Sequence, residues 1–207
     1  MKELTAVQQD ALVELLNIGF GRAAASLSQL TGHRVLLEVP QVTLHDVADV
    51  GEALERVVQG HVASVHQIFT GPVAGDALLI LDESGAAILK ELLTNEPALP
   101  LAIDASAREV ITEVGNILLN ACLGTFGNLL KVQVSFSVPH LSIENVGAIL
   151  ESLMVSQQSI RYALVVHAGF RLRDTQVTGY LMIVLSVASL DRLIREVEDW
   201  EHSQHAS

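Results

Sequence analysis

The chain of 207 residues has few cysteines, few aromatic residues and few basic side chains. Its single cysteine, Cys122, excludes an internal disulfide framework and favours a reducing compartment. Its 12 lysines and arginines stand against 24 acidic residues, which gives a net charge of −12. Because that charge repels a nucleic-acid backbone and an anionic lipid surface, we expect neither a nucleic-acid partner nor a membrane partner.

Long apolar runs and secretion signals are also missing. The N-terminal segment lacks the apolar core of a signal peptide, and the run 179–190 is among the longest apolar stretches yet is too short for a membrane span. Half of the residues are hydrophobic and 17% are charged, which is ample material for a buried core. We therefore expect a soluble, cytoplasmic protein.

Common signatures of cofactor and metal sites are absent as well. The eight histidines are scattered without metal-ligand spacing, and His140 is expected to lie in an exposed loop near Pro139. The segment Gly19-Phe-Gly21 has no strand before it, as a phosphate-binding glycine loop requires, and neither a P-loop nor a nucleophile elbow is present. We expect no metal and no cofactor bound by this chain.

Helical and strand patterns occur twice along the chain. A helix is predicted at 4–31, with a capping box of Thr5 and Gln8 and a stop at Gly32. Its predicted buried stripe is Leu12, Leu16, Phe20, Ala23, Leu27 and Leu30. The first unit continues with a strand at 34–40, a helix at 47–55, strands at 57–70 and 74–82, and a helix at 84–93.

The second unit repeats this order after a proline-containing loop at 94–102. It is predicted to contain a helix at 105–130, a strand at 132–138, a helix at 143–154, strands at 160–171 and 176–186, and a helix at 188–200. Two α-β-α-β-β-α units predict one α+β domain over 1–207 with pseudo-twofold symmetry and two long helices packed on β-sheet. The repeats span about 4–93 and 104–200, a polar, frayed tail covers 201–207, and one shared sheet or two abutting sheets are both compatible with the pattern.

A set of polar residues is duplicated on the two long helices. The first copy consists of Asp10, Glu14, Asn17 and Pro40, and the second, 99 residues later, of Glu109, Glu113, Asn116 and Pro139. At roughly 100° per residue, the three helical positions of each copy fall within about 60° on one face. We call these faces the first and second polar stripes. An ordinary solvated face is the simpler explanation for one helix, but mid-helix Asn costs on the order of 0.5 kcal/mol relative to Ala, so matched copies favour a functional site.

The segments that carry the stripes resemble a known family. ALVELLNIGFGRAAASLSQLTGHRVLLEVP and EVITEVGNILLNACLGTFGNLLKVQVSFSVP are similar to the two signatures of the CheC-type chemotaxis phosphatases, which include CheX and FliY. The family pattern is Asp or Ser, then Glu, Asn and Pro at fixed spacing. The first copy matches it fully, whereas Glu109 replaces the usual Asp or Ser in the second. Having both signatures resembles the two-site members.

The resemblance implies hydrolysis of the aspartyl phosphate of a CheY-like response regulator. It implies that Asn17 and Asn116 position the attacking water, since an amide cannot serve as a base, and that Glu14 and Glu113 pair with a lysine of the receiver. The resemblance also implies that Mg²⁺ is bound by the partner.

Supporting roles are expected for the other residues of the pattern. Asp10 and Glu109 would assist docking, although Ser106 and Glu109 also form a possible capping box. Pro40 and Pro139 are expected to end a strand and fix a loop. A non-catalytic chemotaxis module that sequesters a phosphorylated receiver or scaffolds CheD is the alternative, and exposed apolar residues on the C-terminal helix would favour it.

Overall fold

The computed structural model describes residues 3–37, 41–55, 58, 60–94, 104–156, 160–172 and 175–205. Pro40 and positions 95–102 of the predicted connecting loop lie outside these ranges. In the described residues, each half of the chain forms three helices and four strands. The first half contains α1 (Ala6–Thr31), β1 (Val35–Leu37), β2 (Gln41–Asp46), α2 (Val47–Glu55), β3 (His61–Thr70), β4 (Gly75–Asp82) and α3 (Glu83–Thr94). The second contains α4 (Ala105–Leu129), β5 (Ser135–Phe136), β6 (His140–Asn145), α5 (Val146–Ser156), β7 (Ile160–Leu172), β8 (Thr175–Ser186) and α6 (Val187–His205).

Helix α1 begins and ends as its sequence predicts. The Thr5 backbone N–H donates to Gln8 Oε1 over 2.9 Å, and the Gln8 backbone N–H donates to Thr5 Oγ1 over 3.2 Å, so the capping box is complete. Gly32 ends the helix in the left-handed conformation, at φ 67°, which glycine adopts without steric cost.

The α+β class is confirmed, but each unit has one more strand than the sequence analysis predicted. Strands β2 and β6 were missed because each is only six residues long, which gives a short pattern of apolar and polar alternation. The residues 143–145, predicted as helix, therefore complete β6, and α5 starts at Val146. At the C-terminus the prediction of a frayed tail was wrong, because α6 continues through the polar segment to His205.

All eight strands form a single antiparallel sheet, which decides between the two arrangements left open above. The order is β1-β7-β8-β4-β3-β5, with β2 also paired to β7 and β6 to β3. The short strands are thus exchanged, since β1 and β2 pair with a strand of the second unit and β5 and β6 with a strand of the first. At the centre of the sheet, Leu78 of β4 faces Met182 of β8.

The central pairing is itself symmetric. Ala77 faces Ile183 and Leu79 faces Leu181, so the register is unchanged when the two strands exchange roles around Leu78 and Met182. The pseudo-twofold axis that relates the two units therefore passes through the middle of the sheet.

The sheet lies between two layers of helices. On one face, α1, α3, α4 and α6 cover the larger apolar core, which includes Ala77, Leu79 and Leu81 of β4. On the other face, α2 and α5 cover a smaller core that includes Leu78 and Ile80. Strand β4 alternates between the two cores because successive side chains of a strand point to opposite faces.

Helix α4 is also long and apolar enough, by length and composition, to cross a membrane, and half of its most apolar window is buried in this fold. A core helix of a globular protein meets the same criterion.

Candidate functional site

Both polar stripes lie on the outer surface of the larger helical layer. In α1, Asp10, Glu14 and Asn17 are exposed, while the opposite side of the helix packs on the sheet through buried residues such as Leu12 and Leu16. The first stripe therefore faces away from the core.

The second stripe has the same orientation with one difference. Glu109 and Glu113 are exposed on α4, but Asn116 is half-buried. The two amides are therefore presented to solvent to different extents.

Helices α1 and α4 run in opposite directions and approach very closely. A Cβ placed on Gly19 would lie 2.9 Å from the Cα of Cys122, so the absence of a side chain at Gly19 permits the contact. Leu30, near the end of α1, lines the same groove as Arg108, near the start of α4. Each stripe therefore lies alongside the C-terminal half of the other helix.

The acidic groups of the first stripe are available to a partner. Among the described residues, no hydrogen bond or ion pair engages Glu14 or Asn17. An exposed carboxylate one helical turn from an exposed amide can receive a cationic side chain without first breaking a contact inside the protein.

Asn116 is engaged by a neighbour on its own helix. The Asn120 Nδ2 group donates a hydrogen bond to Asn116 Oδ1 over 2.6 Å. Asn120 lies four residues beyond Asn116 on the same helix, and its bond to Asn116 was not predicted from the sequence. Spacing of four residues is the available signal, since such pairs meet on a helix surface.

An open groove of about 770 Å³ lies beside the second stripe. Glu109, Glu113 and Pro139 line it together, so the structure brings these three predicted residues to one place. Its other walls are formed by Leu30, Thr31, Leu93, Arg108, Val110, Thr112, His140 and Leu141.

Two predictions about groove residues are corrected or refined. Leu30 was assigned to the buried stripe, but it is 56% exposed because it lies in the last turn of α1, where the helix passes over the groove. His140 is exposed as predicted, although it begins strand β6 opposite His66 rather than lying in a loop.

The predicted capping box of Ser106 and Glu109 is wrong. Asp104 is the N-cap of α4, and its side chain accepts a hydrogen bond from the Ala107 backbone N–H over 2.8 Å. Asp104 also pairs with Lys90 of α3 at 3.1 Å. Ser106 therefore lies inside the helix, and the capping explanation for Glu109 is removed.

Two other residues of the long helices, Cys122 and Ser28, have structural roles. Cys122 is fully buried, and burial raises the pKa of its thiol to about 12, so it is not a nucleophile. Ser28, which continues the first stripe, donates to Ala24 O and accepts from the Val35 backbone N–H, which ties α1 to β1. Within the described ranges, no group of three or more His, Cys, Asp or Glu residues is arranged to hold a metal ion.

Relatives of known type share both the sequence and the fold. No family model matches the chain. The chain is 30% identical over 163 residues to the CheY-P phosphatase CheC of Bacillus subtilis, which covers 77% of this chain and 78% of that protein. It is 24% identical over 148 residues to the flagellar motor switch phosphatase FliY of the same organism, which covers 70% of this chain and 38% of that protein.

The crystal structure of Thermotoga maritima FliY superposes with a TM-score of 0.78 at 19% identity, covering 95% of this chain and 98% of that one. The shared architecture extends over both units and the two long helices. Because the chain is 30% identical to CheC of Bacillus subtilis over more than two thirds of both sequences, it belongs to the family of CheC-type chemotaxis phosphatases.

Proposed function

We propose that this protein hydrolyses the aspartyl phosphate of a CheY-like response regulator at its two polar stripes. The observation that carries the proposal is the exposure of Glu14 and Asn17 on one face of α1, with Glu113 exposed and Asn116 half-buried at the equivalent positions of α4. The similarity of the chain to a CheY-P phosphatase supports the substrate class.

The amides would orient water rather than activate it by proton removal. An amide side chain has no useful pKa, but its oxygen accepts a hydrogen bond from water and its nitrogen donates one to a phosphoryl oxygen. Positioning of this kind is the main protein contribution to phosphoryl transfer. Asn17 projects from a rigid helix, so a docked receiver would meet the amide in a fixed geometry.

The glutamates would hold the receiver in register. Glu14 lies three residues before Asn17, so a cation bound by its carboxylate lies within one helical turn of the amide. We expect a lysine of the receiver in this position, because a charge-assisted contact on an exposed face fixes orientation and favours rapid association. Asp10 and Glu109 extend the acidic surface, and Pro139 borders the groove beside Glu113.

The proposal places the metal on the partner and the protein in the cytoplasm. The Mg²⁺ that neutralises the acyl phosphate would be bound by the receiver. A cytoplasmic location fits the single, reduced cysteine of the chain.

The test is phosphate loss from a phosphorylated CheY-type receiver, measured with substoichiometric protein. We expect the double variant Asn17→Ala, Asn116→Ala to stay folded. Its acceleration of phosphate loss should be lower than that of the parent by a factor on the order of 100. Asn128→Ala is the matched control, because Asn128 is exposed on α4 but lies off the stripe. We also expect Asn17→Ala alone to be at least as damaging as Asn116→Ala alone. Unchanged hydrolysis by the folded double variant would reject the proposal.

The same measurement separates catalysis from capture. Many receivers turned over per chain indicate an enzyme, while saturation at one or two indicates a module that sequesters the receiver or scaffolds CheD. A scaffold is expected to expose apolar residues on its C-terminal helix, and α6 shows little of this. Most of its large apolar side chains are buried, namely Leu190, Leu193, Ile194, Val197 and Trp200. Val187 is the large apolar side chain that is exposed in the described part of this helix.

A further inference from the structure

The two stripes differ at the position four residues beyond the amide. In the first stripe this position is Gly21, and in the second it is Asn120. A Cβ added to Gly21 would meet no atom within 4 Å, so the surface next to Asn17 is bare backbone open to solvent. The corresponding surface next to Asn116 carries an amide side chain.

That side chain changes the chemistry available to Asn116. The Asn120 Nδ2 group donates to Asn116 Oδ1 over 2.6 Å, and Asn120 Oδ1 is buried without a hydrogen-bond partner among the described residues. A carbonyl oxygen has two lone pairs, and one of those on Asn116 Oδ1 is occupied by the Asn120 amide. In the first stripe, both lone pairs of Asn17 Oδ1 remain available.

Asn116 Oδ1, which accepts the hydrogen bond from Asn120, is also the atom to which an attacking water would donate. A water molecule poised for attack directs its own lone pair at phosphorus and donates a hydrogen to the amide oxygen. A second donor on the same oxygen competes for this interaction and fixes the plane of the amide before the substrate arrives. Asn116 is also half-buried, whereas Asn17 is exposed, so docking brings the two amides to their substrates differently.

We propose that Asn120 is a positioning residue that makes the second site the slower of the two. This inference rests on the proposed function, because it assumes that Asn116 orients the attacking water. Asn120 acts through its hydrogen bond to the Asn116 carbonyl oxygen. The duplicated protein therefore has one fast site, at Asn17, and one slower site, at Asn116.

The experiment compares proteins in which one site is isolated. Asn17→Ala leaves the second site, and adding Asn120→Ala should raise its kcat about fivefold with little change in KM, the factor expected for releasing one neutral hydrogen bond. Asn116→Ala leaves the first site, and adding Gly21→Asn should lower its kcat by a similar factor. Gly21→Ala is the control for a side chain that cannot donate.

A variant of similar volume separates the hydrogen bond from simple crowding. Asn120→Leu fills the surface but donates no hydrogen bond, so it should raise kcat as Asn120→Ala does. If only Asn120→Ala raises the rate, or if it raises KM and kcat together, the inference is overturned. Thermal unfolding of each variant confirms that folded proteins are being compared.

The outcomes also separate this inference from the proposed function. If neither site-isolated protein accelerates phosphate loss, the proposed function fails and the inference fails with it. If both accelerate it and Asn120→Ala leaves the second site unchanged or slower, the inference fails while the function stands.

Discussion

Single residues decide how much of each polar stripe a partner can reach. Glu14 and Asn17 are exposed and unengaged within the described residues, while Asn116 is half-buried and accepts a hydrogen bond from Asn120. Other single residues anchor the helices that carry the stripes. Asp104 combines an N-cap with an ion pair to Lys90, so one carboxylate fixes the start of α4 and joins it to α3.

The Asp104 cap should make stability depend on pH. The hydrogen bond from the Ala107 N–H and then the contact with Lys90 lower the pKa of the Asp104 carboxyl below its ordinary value of 3.8. A lowered pKa stabilises the folded state above the unfolded value, and that stabilisation is lost as the pH falls through the folded value. Asp104→Ala should therefore lower the urea midpoint at pH 7.

The control for this prediction is to repeat the urea titrations at lower pH. The difference in urea midpoint between Asp104→Ala and the parent should shrink as the pH falls below 3.8, because protonation removes the same carboxylate from the parent. Asp199→Ala, at an exposed position of α6, is a matched acidic replacement. A difference that stays constant from pH 7 to acid would contradict the electrostatic part of the explanation.

Pairs of elements set the geometry of the site, and the contact of α1 with α4 is the most important. The close approach at Gly19 and Cys122 fixes the separation of the two stripes, while Gly115 lets α4 lie directly on Val65 of β3. These glycines occupy helix interiors, where glycine is intrinsically unfavourable, so the packing they permit compensates for their conformational cost.

A pair of glycine substitutions tests this contact. Gly19→Ala should reduce the free energy of unfolding by about 1–2 kcal/mol, because the new methyl group would lie against the backbone of Cys122. Gly21→Ala, two residues away in open space, should instead increase the free energy of unfolding by about 0.5–1 kcal/mol through helix propensity. Denaturant titration of both variants measures the difference, and equal effects would contradict the close approach.

At the scale of the whole molecule, the exchange of short strands makes the two units depend on each other. Strand β3 pairs with β5 and β6 of the second unit, and β7 pairs with β1 and β2 of the first. An isolated unit would expose the free edges of β3 and β4 and much of the larger core. Unpaired strand edges and exposed apolar faces favour aggregation over a stable fold.

A fragment of residues 1–94 should therefore fail to fold alone. We expect little cooperative unfolding by circular dichroism and a tendency to aggregate in size-exclusion chromatography. Coexpression with residues 104–207 should restore a soluble complex with the secondary structure of the full chain. A monomeric 1–94 fragment with its own cooperative transition would contradict the dependence described here.

Much of this architecture follows from the sequence, and the misses have physical causes. Helix α1 was predictable because its caps and its apolar periodicity agree over the 26 residues Ala6–Thr31, whereas α4 was predictable from periodicity alone. Strands β2 and β6 were not, since short edge strands owe their existence to partners far away in the chain. The stripe residues followed from spacing, whereas the bond between Asn116 and Asn120 depends on side-chain rotamers, which spacing does not determine.

The symmetric pairing of Leu78 with Met182 has the geometry of an isologous interface between like subunits, here carried on one polypeptide. In a homodimer of identical chains, every substitution is made in both sites at once. Joining the halves covalently removes that constraint, so Gly21 and Asn120 can occupy equivalent places. Under the proposed function, one protein would then act on a regulator at two different rates.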